Sequence, residues 1–146
     1  MPGPMRLATQ TSDAGAAAPR EGDGRRAGSI EGLRILVVED EIMVATDLAF
    51  SLEDAGARPV GPAYSLSEGL ALAERETFDA AILDLNLHGR DVFPLAERLQ
   101  ERQIPFIFHT GNGDRADLKS RFPDVVVCSK PTLPHRLIAA VARHIG

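Results

Sequence analysis

From Leu33 onward the chain alternates between two kinds of hydrophobic pattern, and this alternation limits its possible folds more than any other feature. Short apolar runs of strand length occupy 33–38, 57–61, 79–85, 104–109 and 124–128. Between them, apolar residues recur at helical spacing. Ile42, Ala45, Leu48, Ala49 and Leu52 form one stripe, which ends at Gly56; Leu66, Leu70 and Ala73 form a second. Val92, Leu95, Ala96 and Leu99 form a third, and Leu133, Leu137, Val141 and Ile145 the last. The segment 113–121 is short, polar and weakly periodic. Strands that alternate with helices pair in parallel through right-handed crossovers. The pattern therefore predicts an α/β fold: a doubly wound five-stranded parallel sheet in the order 2-1-3-4-5, with helices on both faces.

Residues 1–32 follow neither pattern. Fifteen of the 32 are Ala, Gly or Pro, and the large apolar residues are only Met1, Met5, Leu7 and Ile30. Such a stretch buries too little surface to offset its ordering entropy, which predicts a flexible N-terminal tail before a domain spanning 33–146. Four Arg in the tail balance four acids, so the formal charge of −5 belongs to the domain. That acidity offers no footprint for a phosphate backbone, and nucleic acid is not an expected partner. No apolar stretch approaches the ~18 residues of a membrane span. The N-terminus lacks an apolar signal core. A single cysteine, Cys128, excludes an intrachain disulfide framework and is read as a small core residue of the fifth strand. A cytoplasmic domain is the expectation.

In a sheet of this order, functional groups gather at the carboxyl ends of the strands, beside the switch point between strands one and three. Glu39-Asp40-Glu41 follows the first run, Asp84 ends the third with Asn86 two residues on, Thr110-Gly111 ends the fourth, and Lys130-Pro131 follows the fifth. Acids converging on one crevice repel each other unless a cation joins them. An oxygen-only set with room for water suits Mg²⁺. Asp84 then qualifies as a nucleophile toward phosphorus, with Mg²⁺, the Lys130 ammonium and the Thr110 hydroxyl facing the developing charge. Each residue also has an ordinary reading: Glu39-Asp40-Glu41 as helix-capping acids, Asp84 as a turn cap, Thr110-Gly111 as a turn pair, Lys130 as a surface lysine. The conjunction at four strand ends favours chemistry.

These residues carry a resemblance. Ile35-Leu36-Val37-Val38-Glu39-Asp40-Glu41, Ile82-Leu83-Asp84-Leu85-Asn86, Phe108-His109-Thr110-Gly111 and Lys130-Pro131, in this order and spacing, resemble a bacterial response-regulator receiver domain (CheY-like), whose fold is flavodoxin-like. The resemblance implies that Asp84 accepts a phosphoryl group from a histidine kinase. It implies Mg²⁺ held by Asp40, Asp84 and the backbone carbonyl of Asn86, with Glu39 acting through water. It further implies phosphoryl-binding and switch roles for Thr110, Gly111 and Lys130, a cis bond before Pro131, and tuning of the aspartyl-phosphate lifetime by Asn86 and Asn112. The segment 104–111, Asn86-Leu87 and Val92–Ala96 are similar to stand-alone receivers with a Phe-Ala-Thr-Gly-x-Tyr type motif, whose kinases are often of HWE type. His109 replaces the Ala of that motif and Gly113 its Tyr. Val127 stands where many receivers carry a switch aromatic. His109 is expected to be satisfied by backbone.

The expected function is a single-domain response regulator of a two-component phosphorelay, acting through contacts with an unidentified downstream protein. It would not be an enzyme beyond self-catalysed phosphoryl acceptance and hydrolysis. A phosphate sink or relay for a kinase or phosphotransferase is the first alternative, and a phosphorylation-independent binding module the second. A haloacid-dehalogenase-like phosphatase would want a second acid where Asn86 stands.

Overall fold

The computed structural model describes residues 29–111, 116–130 and 132–145. The elements run β1 (Arg34–Val38), α1 (Ile42–Asp54), β2 (Arg58–Ala63), α2 (Leu66–Arg75), β3 (Ala80–Leu83), β4 (Asn86–Leu87), β5 (Arg90–Asp91), α3 (Phe93–Glu101), β6 (Phe106–Thr110), α4 (Ala116–Arg121), β7 (Val127–Ser129) and α5 (Pro134–His144). Five strands form one parallel sheet in the order β2-β1-β3-β6-β7, the expected topology, while β4 and β5 pair separately as an antiparallel hairpin.

The central strands are apolar throughout because both of their faces are covered. Side chains alternate between those faces. Leu36, Val38, Ala81, Leu83, Phe106 and Phe108 pack against Ala73 of α2, Leu95 and Leu99 of α3 and Leu118 of α4. Ile35, Val37, Ala80, Ile82 and Ile107 pack against Leu48 and Leu52 of α1 and Leu137 and Val141 of α5. On the first face Phe93, Phe106, Phe108 and Phe122 form an aromatic cluster, with Phe108 and Phe122 centroids 5.5 Å apart. Val127 joins that face half-buried.

Helix starts follow local chemistry. Ser65 caps α2 by accepting from Glu68 N–H at 3.2 Å, and Glu68 reaches back to Tyr64 N–H at 2.7 Å. Pro94 and Pro134 lie in the first turns of α3 and α5, where a missing N–H costs nothing. Pro59 and Pro62 sit in β2, an edge strand that tolerates them. Gly61 there has φ +95, and a Cβ would meet Ala63 N at 2.8 Å, so the register shift opposite Leu36–Val38 requires glycine.

Packed structure begins earlier than the composition suggests. Ile30 is 2% exposed against the α1/α5 face, and Gly32 N–H donates to Gly56 O at 2.8 Å. The expected tail boundary at residue 32 thus falls inside the domain, while residues 1–28 lie outside the described residues. Ile42 and Leu133, counted into their helical stripes, are 64% and 59% exposed at the sheet's rim. Pro131 lies outside the described residues; the cis X-Pro bond among those described is Gly61–Pro62.

Candidate functional site

The alternation that sorts the core also builds the site. Continuing each strand two residues past Val37, Ile82, Ile107 and Cys128, all on the α1/α5 face, gives Glu39, Asp84, His109 and Lys130. Four neighbouring strands therefore deliver these four groups to one rim. The Lys130 ammonium reaches three carboxylates: Glu39 Oε2 at 3.1 Å, Asp84 Oδ2 at 3.2 Å and Glu41 Oε1 at 3.3 Å. Backbone holds the two ends together, since Lys130 N–H donates to Thr110 O at 2.8 Å and Asp84 N–H to Val38 O at 2.8 Å.

One ammonium does not balance the acids. Burial, and then the Glu39 charge, push Asp84 up to about 8, against the attraction of Lys130. Burial also raises Glu39. Burial would lower Lys130, but the Asp84 and Glu39 charges outweigh it and hold the ammonium charged well past its ordinary range. Glu39, Asp40 and Asp84 each present an oxygen, all within 4.8 Å of one another. Glu39 Oε1 is buried with no hydrogen-bond partner. An oxygen-only cluster with excess negative charge and an orphaned carboxylate oxygen fits a hard divalent cation such as Mg²⁺.

Asp40 is positioned by an element the sequence reading missed. The β4–β5 hairpin turns through His88 and Gly89, both with positive φ, as a two-residue hairpin turn requires. His88 N–H donates to Asp40 Oδ2 at 3.0 Å, and Gly89 N–H to Asn86 Oδ1 at 2.8 Å. Burial would raise Asp40, but the His88 N–H bond and further hydrogen bonds outweigh it and leave Asp40 below its ordinary value. The sequence signal is the His-Gly pair between Asn86-Leu87 and Arg90-Asp91. At Gly89, φ is +82 and a Cβ would meet nothing within 4 Å, so Gly89→Ala isolates the conformational cost. It should lower stability by about 1 kcal/mol in urea denaturation. Wild-type stability would show that the turn does not need its left-handed backbone.

The helix-capping alternative for the acidic triplet does not describe this structure: α1 has no side-chain cap and no acid in its first turn. Glu39 Oε2 accepts from Glu41 N–H at 3.1 Å, and Asn86 N–H donates to Asp84 Oδ1 at 3.3 Å. Thr110 is buried at the end of β6. Gly111 follows it, exposed, with room for a side chain. Asn112 and Gly113 lie outside the described residues. The expectation that backbone satisfies His109 is corrected: the ring is buried and neither nitrogen has a partner, because the neighbouring backbone groups serve the sheet. Cys128 is half-buried, and burial raises its thiol pKa. A groove of about 340 Å³ lies at the opposite end of the sheet between Pro105, Val125 and Ile145. It contains none of these residues.

The arrangement has known counterparts. Residues 35–142 match the response regulator receiver domain. The chain belongs to that family. It is similar to the transcriptional regulatory protein PdtaR of Mycobacterium tuberculosis, with 33% identity over 115 residues, covering 78% of this chain and 49% of the relative. TcrA of the same organism is 34% identical over 98 residues, which cover 66% of this chain and 38% of that protein. The chain therefore spans half or less of the curated relatives it matches. The solution structure of SdrG from Sphingomonas melonis Fr1 superposes with a TM-score of 0.64 at 41% identity, covering 77% of this chain and 96% of that one. The receiver domain is in itself a non-enzymatic signalling module apart from its own phosphorylation chemistry, and a receiver domain implies a histidine kinase as partner. Among the described residues, no helix is long and apolar enough to cross a membrane.

Proposed function

We propose that this receiver accepts a phosphoryl group on Asp84 from a kinase phosphohistidine and acts as a stand-alone, cytoplasmic regulator through protein–protein contacts. The observation that carries the reading is Asp84 itself: a buried carboxylate at a strand end, 3.2 Å from the Lys130 ammonium and inside an acidic cluster. Asp40, Asp84 and the Asn86 carbonyl would hold Mg²⁺, with Glu39 acting through water; the ion would neutralise charge as phosphorus is approached. The Asp84 oxygen attacks phosphorus and the bond from phosphorus to the imidazole nitrogen of the kinase breaks. Lys130 remains paired with the new oxygens, Thr110 donates its hydroxyl to them, and Gly111 leaves space for the group. Asn86 would tune the lifetime of the aspartyl phosphate, a role that the resemblance also gives to Asn112, outside the described residues.

Phosphorylation adds charge and acceptor oxygens at the rim, and it shifts the domain between two arrangements only as far as it interacts differently with them. The stand-alone reading is supported by the likeness to SdrG, at 41% identity. The kinase would be of HWE type, or a phosphotransferase would serve in its place. The test is intact mass after incubation with Mg²⁺ and a small acyl phosphate, repeated with a histidine kinase. The expected result is one added phosphoryl group, abolished by chelator and by Asp84→Ala. No gain with either donor would overturn the reading.

A further inference from the structure

Of the four groups that the strand ends bring to the rim, His109 is the one without a role so far. It is 3% exposed, and neither ring nitrogen has a hydrogen-bond partner. Across from it, Glu39 Oε1 is also buried and unpartnered. The two orphans face each other, His109 Nδ1 lying 4.0 Å from Glu39 Oε1. That gap is about 1 Å longer than a hydrogen bond. The other Glu39 oxygen is committed to Glu41 N–H and Lys130. A shift of about 1 Å between the imidazole and the carboxyl group would close the gap.

Burial, and then the Lys130 charge, hold the imidazole neutral, its pKa lowered to about 4. A neutral imidazole has one N–H and one acceptor nitrogen, and its partner selects which is which. A carboxylate only accepts, so it selects the proton on Nδ1. Two buried polar groups left unpaired side by side are unusual in a folded protein, and an apolar residue would fill the position of His109 at no such cost.

We propose that His109 is a positioning residue for the cation site: its Nδ1–H donates to Glu39 Oε1 and fixes the orientation of that carboxylate. Lys130 and Glu41 N–H fix one oxygen, His109 the other, and Glu39 then faces Asp40 and Asp84 in a single orientation. The inference rests on the reading that Asp40 and Asp84 hold a divalent cation with Glu39 acting through water. Loss of such an outer hydrogen bond typically weakens metal binding about 10- to 100-fold.

The experiment combines long-range ¹H–¹⁵N NMR of the wild-type imidazole with calorimetric titration of Mg²⁺ alone into wild type, His109→Leu and His109→Asn. The expected spectrum is that of the Nδ1–H tautomer. His109→Leu should bind Mg²⁺ about tenfold more weakly. His109→Asn, whose amide nitrogen sits where Nδ1 was, should recover most of the loss. An Nε2–H tautomer would overturn the inference, as would equal affinities in all three proteins or equal weakening in both variants. Should His109→Leu fail to fold, the wild-type tautomer decides. Wild type that takes up no Mg²⁺ would overturn the cation-site reading itself, and the inference with it.

Discussion

Lys130→Met should unfold at markedly lower denaturant than wild type at pH 8, with a loss of about 3 kcal/mol. Methionine keeps most of the aliphatic stem, so the change isolates the ammonium. Without it, Glu39, Asp84 and Glu41 lose the cation that lies within 3.3 Å of each, and the first two are buried. Removing one partner of a buried pair costs more than the pair contributes, because the charge left behind has no water to return to. The pH dependence follows from the direction of the shift. Lys130 is raised in the folded state, so its contribution is fully present below its ordinary value of 10.5 and is lost only as pH rises through the folded value. The deficit of Lys130→Met should therefore be full at pH 8. It should shrink toward pH 4 as the acids take up protons, and Mg²⁺ should offset part of it. Equilibrium urea unfolding at both pH values, with and without Mg²⁺, checks this. A deficit that ignores pH would mean that packing of the stem, not its charge, matters. Under the proposed function, the same variant should still accept phosphoryl on Asp84 but lose phosphate-dependent partner binding in a pull-down.

The sheet was legible because its inner strands are buried on both faces, which turns each into an unbroken apolar run such as Ile35–Val38 or Ala80–Leu83. The same burial exposed the candidate site: Glu39, Asp84 and Lys130 stood out as polar residues where apolar runs ended. Strand alternation then explains why they face one another. What escaped notice had no periodicity to show it. The β4–β5 hairpin has two residues on each side of its turn, too few to alternate, and its turn places His88 where asparagine is the familiar signal. Ile30 is a lone apolar residue among Gly and Ser, and only the closing of Gly32 onto Gly56 makes it core. Helical stripes count turns but not where the sheet stops, so Ile42 and Leu133 fit the spacing of their stripes and yet are exposed. A sequence gives the type of His109 but not its partner, and here the adjacent backbone is already taken up by pairing of β6 with β3 and β7.

Removing the charge of Asp84 should have the opposite effect on stability to removing that of Lys130. Asp84→Asn should make the metal-free protein more stable at pH 8 by about 2 kcal/mol, although it removes the proposed phosphoryl acceptor. Asp84 is raised from 3.8 to about 8 by burial and by Glu39, so across that window the folded state holds a proton that the unfolded chain has released. The contribution of Asp84 to wild-type stability is therefore fully present below pH 4, falls as pH rises, and is lost above pH 8. An asparagine has no charge to confine. Its carbonyl oxygen can still accept from Lys130 or from Asn86 N–H, and its amide can donate to the Glu39 or Asp40 carboxylate. Thermal melts of both proteins at pH 4 and pH 8 should diverge only at the higher pH. Mg²⁺ should narrow the gap, because a cation that binds the folded state stabilises the chain with the full acid set more. An Asp84→Asn protein that melts below wild type at pH 8 without metal would show that the Lys130 pair outweighs the repulsion. Combining Asp84→Asn with Lys130→Met discriminates further. The two changes touch one cluster, so the double variant should recover part of what Lys130→Met loses, beyond the sum of the single effects. A site that accepts a charged group carries this instability while empty, and relief by a cation is the thermodynamic signature that distinguishes it from a structural ion pair.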